Sequence, residues 1–255
     1  MKTRAIHLHR VNACQNKFIL ILLVALTTCS SCSRSDARKF YNAGNNKYLS
    51  GDYAGAIVDF NAAIQIDPNY IVAYNNRGLS KDALKDEAGA IADYTKAIEL
   101  NPQSQFGYYN RGNAEQNLNN YTNAISDYDK AIELNPQDTA VYLNRGNTKY
   151  RLNDYTGAIA DFNKAIELNP RYDKAYTSRG VAKGRLNDYS NAIIDLTAAI
   201  EINPRYAEAY NDRGVAKRGL EDYGGAIADF DKAIEINSNY TKAIASRAEV
   251  QALKK

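Results

Sequence analysis

The stretch YNNRG, Tyr74–Gly78, returns along the chain as YNRG from Tyr109, LNRG from Leu143, TSRG from Thr177 and NDRG from Asn211. Each copy lies where apolar residues recur at helical spacing, so a charged arginine stands again and again on a face that the neighbouring Tyr and Gly mark as packed. Outward from these words, all five prolines fall at Pro68, Pro102, Pro136, Pro170 and Pro204, a constant step of 34 residues. Spacing that regular is a repeat rather than a set of turns. On the same step lie Ala56, Ala90, Ala124, Ala158, Ala192 and Ala226, each followed by Ile, and the series Phe60, Tyr94, Tyr128, Phe162, Leu196 and Phe230. Within a unit, one helical pattern from about Phe40 to Ser50 breaks at Gly51-Asp52, and a second runs from Tyr53 to Ile66, where Asp67-Pro68 stops it. Each repeat therefore reads as a helix–turn–helix.

With Pro68 set at position 32, the repeats are 37–70, 71–104, 105–138, 139–172, 173–206 and 207–240. An aromatic then stands at position 4 throughout, Gly at 8, Tyr at 17 except for Glu87, and Ala at 20 and 27. In these marks the chain resembles the tetratricopeptide repeat (TPR) proteins. It departs from them in Ser238, where the sixth proline would stand, and in the arginine at position 7, where the family usually has leucine. The resemblance implies an all-α, right-handed superhelical solenoid of six units, with 241–255 as a capping helix over the last packing face. Close packing explains the pattern: Gly at 8 and Ala at 20 bring the two helices of a unit together, Ala at 27 admits the next unit, and the aromatics fill what remains.

The position-7 series is Ala43, Arg77, Arg111, Arg145, Arg179, Arg213 and, in the cap, Arg247; position 23 carries Asp59, Asp93, Asp127, Asp161, Asp195 and Asp229. Pairing within a repeat would strand Asp59 and Arg247, whereas pairing each Asp with the Arg 18 residues later strands nothing. The expectation is thus a ladder between repeats, from Asp59–Arg77 through Asp229–Arg247, in which the planar guanidinium makes two charge-assisted bonds at each seam. The acidic pairs Asp127/Asp129 and Asp229/Asp231 read as solvated faces rather than metal or catalytic sites.

The resemblance implies a concave surface lined by the first helix of each unit, the usual site of peptide partners in the family. Position 6 faces it and reads Asn42, Asn76, Asn110, Asn144, Ser178 and Asp212; position 5 adds Tyr41 and Tyr109. A row of amides that both donate and accept suits the backbone of an extended peptide, with the tyrosines supplying apolar contact. The family's chaperone-binding clamp is not matched: Asn113, Asn144 and Lys174 stand in place, but Tyr109 and Ser178 occupy positions that need Lys and Arg.

Composition narrows the function further. All three cysteines (Cys14, Cys29, Cys32) and both histidines (His7, His9) lie in the first 32 residues, so the repeats offer neither thiol nor imidazole. No enzyme activity, cofactor or metal is expected. Four of the 32 Lys and Arg also lie there, with no acid, so the rest of the chain holds 28 basic against 29 acidic residues and disfavours a nucleic-acid partner. The N-terminus itself has the form of a signal peptide over 1–32: a basic start to Lys17, the apolar run FILILLVAL of Phe18–Leu26, then TTCSSCS. Nine apolar residues are too few to span a bilayer, which takes about 20. LTTC, Leu26–Cys29, resembles the lipobox of bacterial lipoproteins, with Cys32 a competing site, and implies an acylated terminus holding the protein on a membrane after a short linker, 33–36. The reading as a whole is a non-catalytic interaction scaffold of the bacterial cell envelope, or alternatively an adaptor or regulatory subunit of a membrane-associated assembly.

Overall fold

The computed structural model describes residues 34–253, and the fold is all-α. Helix α1 covers residues 34–49. It is followed by α2 (Tyr53–Ile66), α3 (Ile71–Ala83), α4 (Glu87–Leu100), α5 (Gln105–Asn117), α6 (Tyr121–Leu134) and α7 (Thr139–Arg151). The remainder are α8 (Tyr155–Leu168), α9 (Asp173–Arg185), α10 (Tyr189–Ile202), α11 (Ala207–Gly219), α12 (Tyr223–Ile236) and α13 (Thr241–Leu253). No strand occurs among the described residues. The chain forms two compact units, one ending at Pro102 with α1–α4 and one from Gln103 with α5–α13.

Local chemistry sets the hairpins. In every repeat the turn between the two helices passes through a left-handed residue at position 15: Gly51 at φ 85°, then Lys85, Asn119, Asn153, Asn187 and Glu221 at φ 61–66°. A residue in this conformation ends a helix by turning its chain out of register, which Gly and Asn do at least cost. The next residue restarts the chain: the carboxylates of Asp52, Asp86, Asp154 and Asp222 each accept from the backbone N–H of the glycine three residues on, satisfying one orphan donor of the second helix. At the other end, Asp67, Asn101, Asn135, Asn169 and Asn203 stand immediately before the prolines in extended or near-extended backbone, as the proline ring demands.

Packing inside a hairpin turns on one contact. A Cβ added to Gly78 would lie 2.6 Å from the Tyr94 ring, one on Gly146 2.6 Å from Phe162, and one on Gly214 2.7 Å from Phe230. Position 8 is glycine because the position-24 ring already occupies that space. The rings of Phe60, Tyr94, Tyr128, Phe162 and Phe230 are fully buried or nearly so, as are the alanines at positions 20 and 27. Burying each such ring contributes about 1.5–3 kcal/mol, and the alanines let the helices come close enough to achieve it. In the second unit α13 closes the stack: its Val250 packs on Ala226 and Phe230 of α12.

Candidate functional site

The first question is what the repeated arginine does. Each of Arg77, Arg111, Arg145, Arg179 and Arg213 forks the aspartate of its own repeat, 16 residues on: Nε lies 2.9–3.0 Å from one carboxylate oxygen of Asp93, Asp127, Asp161, Asp195 or Asp229, and Nη2 meets the other. The expected pairing between repeats is therefore incorrect for the aspartates. What crosses the seam is the third nitrogen. Arg77 Nη1 donates to Asn61, Arg145 to Asp129, Arg179 to Asn163 and Arg213 to Thr197, all at position 25 of the preceding repeat. The guanidinium also lies over the position-4 ring, 5.4–5.7 Å from the centroids of Tyr74, Tyr108, Tyr142, Tyr176 and Tyr210.

Two further partners leave neither Asp59 nor Arg247 stranded. Asp59, in the repeat without arginine, is met by Lys47 at 2.7 Å, and Arg247 by Asp231 at 2.7 Å. Lysine at position 11 recurs as a second cation on the same carboxylate: Lys81 on Asp93, Lys149 on Asp161, Lys183 on Asp195 and Lys217 on Asp229. Asp127 and Asp229 are accordingly buried rather than solvated, while Asp129 and Asp231 are exposed and face arginines.

The asparagine row is likewise engaged in part. Asn76 Nδ2 donates to the Tyr41 hydroxyl (3.1 Å) and to Asn45 Oδ1 (3.3 Å); Asn144 Nδ2 repeats this with Tyr109 (3.1 Å) and Asn113 (2.8 Å). Tyr41 is packed on Phe60 and Tyr70, and Tyr109 on Tyr128. These residues join neighbouring repeats, so their amide N–H groups and rings are already spent within the fold. In the first unit, Asn42 lines a concavity with Arg38, Tyr41 and Tyr70. Cys29 and Cys32 lie outside the described residues.

In the second unit the first helices line a concavity of about 690 Å³, with Asn147 of α7, Ser178 of α9, Glu208 and Asp212 of α11, and Tyr206 and Tyr240 from the turns before α11 and α13. Asp212 breaks the asparagine row. The residues at the corresponding places on the previous repeat are Thr177, whose hydroxyl donates to the Asp173 carbonyl at 3.0 Å, and Val181, which has no donor, and the Asp212 Oδ1 accepts from Asn211 Nδ2 at 3.0 Å. Burial, reinforced by Glu208 and opposed by the Asn211 bond and Lys242, pushes the Asp212 carboxyl up to about 6. The Tyr206 and Tyr240 hydroxyls are pushed up to about 12 by burial and then by the nearby acids, Glu208 first for Tyr206 and Asp212 first for Tyr240. These tyrosines escaped the sequence reading, although Tyr172, Tyr206 and Tyr240 recur on the same 34-residue step, two residues after the proline position.

Sequence profiles described as "Tetratricopeptide repeat" match residues 106–138, 139–172 and 207–240, and a second of that description matches 71–104 and 173–206. One described as "TPR repeat" matches 44–81. Comparison with curated proteins finds no match. Among solved structures, a tetratricopeptide repeat protein from Parabacteroides merdae is similar at TM-score 0.75 and 19% identity, covering 86% of this chain and 87% of that one. Pseudomonas aeruginosa pilF is similar at TM-score 0.71 and 18% identity, covering 85% and 99%. YrrB, described as a TPR protein with an unusual peptide-binding site, is similar at TM-score 0.61 and 24% identity, covering 74% and 97%. At these identities the likeness is one of fold.

Proposed function

The chain belongs to the tetratricopeptide repeat family, and from that premise we propose that it is a non-catalytic protein–protein interaction scaffold whose second unit holds an extended peptide segment along its first helices. One observation carries the reading: the concavity in that unit is lined by Asn147 and Ser178, polar side chains that make no hydrogen bond among the described residues, beside half-buried tyrosines. Asn110, in the position of Ser178 two repeats earlier, is also unengaged. Groups of this kind serve a passing backbone, which offers an N–H and a C=O at every residue. Each neutral hydrogen bond returns only about 0.5–1.5 kcal/mol net, so several act together and affinity is modest. On the same reading the protein works in the bacterial cell envelope, exported through 1–32 and held to a membrane by an acylated Cys29 or Cys32; the support is the sequence of that segment.

The test is selection of binders from displayed random peptides, followed by affinity measurement on a triple variant, Asn110→Ala, Asn147→Ala and Ser178→Ala, whose Tm matches that of the wild type. A loss of tenfold or more supports the reading. Unchanged affinity overturns it.

A further inference from the structure

The repeat supplies its own yardstick for empty space. At position 12, Tyr48 and Tyr150 lay their rings against the position-17 rings of Tyr53 and Tyr155, with centroids 5.4 and 5.3 Å apart and planes inclined at 60° and 59°. Arg185 at position 13 of the following repeat then donates from Nε to the Tyr150 hydroxyl at 2.8 Å and lies over its ring. One repeat later this arrangement is dismantled. Position 12 is Gly184, the arginine is replaced by Gly219, and position 24, a ring in every other repeat, is Leu196. Tyr189 remains at position 17, and nothing lies within 4 Å of a Cβ added to Gly184. The Tyr189 ring takes the space over Gly219, 2.7 Å from where a Cβ would lie, while the reductions at Gly184 and Leu196 border one cavity of about 450 Å³, walled by Gly180, Tyr189, Leu196, Val215 and Gly219, with Arg218 among its lining residues.

We propose that this cavity receives an aromatic side chain, tyrosine or phenylalanine, from the extended segment that the scaffold holds; the inference rests on the peptide-binding reading above and specifies its ligand. The occupant is identified by what the chain places in the equivalent space itself: a phenol ring against a position-17 tyrosine. Edge and tilted contacts with Tyr189 are available to a ring and not to an aliphatic chain, and Arg218, paired with Glu249 at 2.8 Å, adds a cation to the lining. Asp212 lines both this cavity and the larger concavity. A segment whose ring enters the cavity passes its backbone over that carboxylate, which accepts an N–H.

The experiment is an amide-resolved NMR titration of the purified chain with N-acetyl-tyrosinamide, with N-acetyl-leucinamide as comparison. The expected result is saturable shifts at Gly180, Gly184 and Gly219, several-fold weaker with the leucine probe, and absent in Gly184→Tyr, which restores the residue of repeat 4. No saturable shifts, equal response to the two probes, or the same shifts in a folded Gly184→Tyr would each overturn the proposal. The comparison of probes needs no variant, so it stands even if Gly184→Tyr does not fold. Peptides whose affinity falls in the Asn110/Asn147/Ser178 variant, together with indifference to N-acetyl-tyrosinamide, would retain the scaffold and remove only the pocket.

Discussion

Arg145 forks the carboxylate of Asp161 within its own repeat and turns its remaining nitrogen to Asp129 of the repeat before. One side chain therefore ties a hairpin closed and fastens it to its neighbour. The two bonds differ in worth, because Asp161 is buried whereas Asp129 is exposed. Removing one partner of a buried pair leaves a desolvated charge, while a surface pair is worth about 0–1 kcal/mol.

Arg145→Leu should accordingly destabilise by about 3 kcal/mol, with Lys149 retaining part of the neutralisation of Asp161. Adding Asp161→Leu should recover much of that loss, and adding Asp129→Leu should not. Chemical denaturation of the two double variants decides between them; recovery with Asp129→Leu alone would place the dominant pair across the seam.

Lys85 and Glu221 occupy left-handed turns at φ 66° and 62°, where three other repeats have Asn. Lys85→Asn and Glu221→Asn should each raise stability by up to about 1 kcal/mol, since the left-handed conformation costs most residues about 1–2 kcal/mol. Thermal melts measure this, and no gain in either variant would contradict the account of the turn.

Gly146→Ala should destabilise by about 1–3 kcal/mol, because the new methyl would fall 2.6 Å from the Phe162 ring. In Gly184→Ala, by contrast, the methyl enters open space and stability should hold or rise. Equal losses in the two would mean that helix geometry, not ring contact, selects glycine.

Asp212 links stability to pH. Its carboxyl titrates near 6 in the fold against about 3.9 for a free aspartate, so the folded chain binds the extra proton between those values. Stability contributed by the protonated form is present below pH 4 and is lost as pH rises through 6. Asp212→Asn, which restores the asparagine of repeats 1–4, should therefore stabilise by about 1–3 kcal/mol at pH 7 and by little at pH 4. Measuring the difference between variant and wild type across that range gives the sign, and a pH-independent difference would refute it.

The fold was legible because its determinants are local and repeated: five prolines, and glycine and alanine in all six units, on a fixed step specify hairpins and the closeness of their packing. The arginine's place on the packed face was legible for the same reason. Its partner was not, because Asp59 and Asp229 look equivalent in sequence and only three-dimensional packing shows that Lys47 and Asp231 supply the missing charges. The asparagine row misled in a related way. Asn76 and Asn144 recur for the seam, through Tyr41 and Tyr109, while of the concavity's unengaged groups Asn147 stands outside the row, at position 9, and Ser178 where the row departs from Asn. Gly184 carried the clearest signal of the pocket, as a residue that departs from its own repeat, but a cavity is a property of what surrounds it. Cys29 and Cys32 pose a separate chemical question, answered by the mass of the mature N-terminus: an acylated cysteine there supports tethering, and an intact chain from Met1 would refute export.

The most direct measurement of the central claim is photo-crosslinking in the native cell, with benzoylphenylalanine placed at Ser178 in the concavity and, separately, at Ile194 on the exposed face of α10. Mass spectrometry of the adducts reads the outcome. The account predicts that Ser178 captures one contiguous segment of a partner protein and Ile194 does not; adducts from Ile194 with none from Ser178 would contradict it.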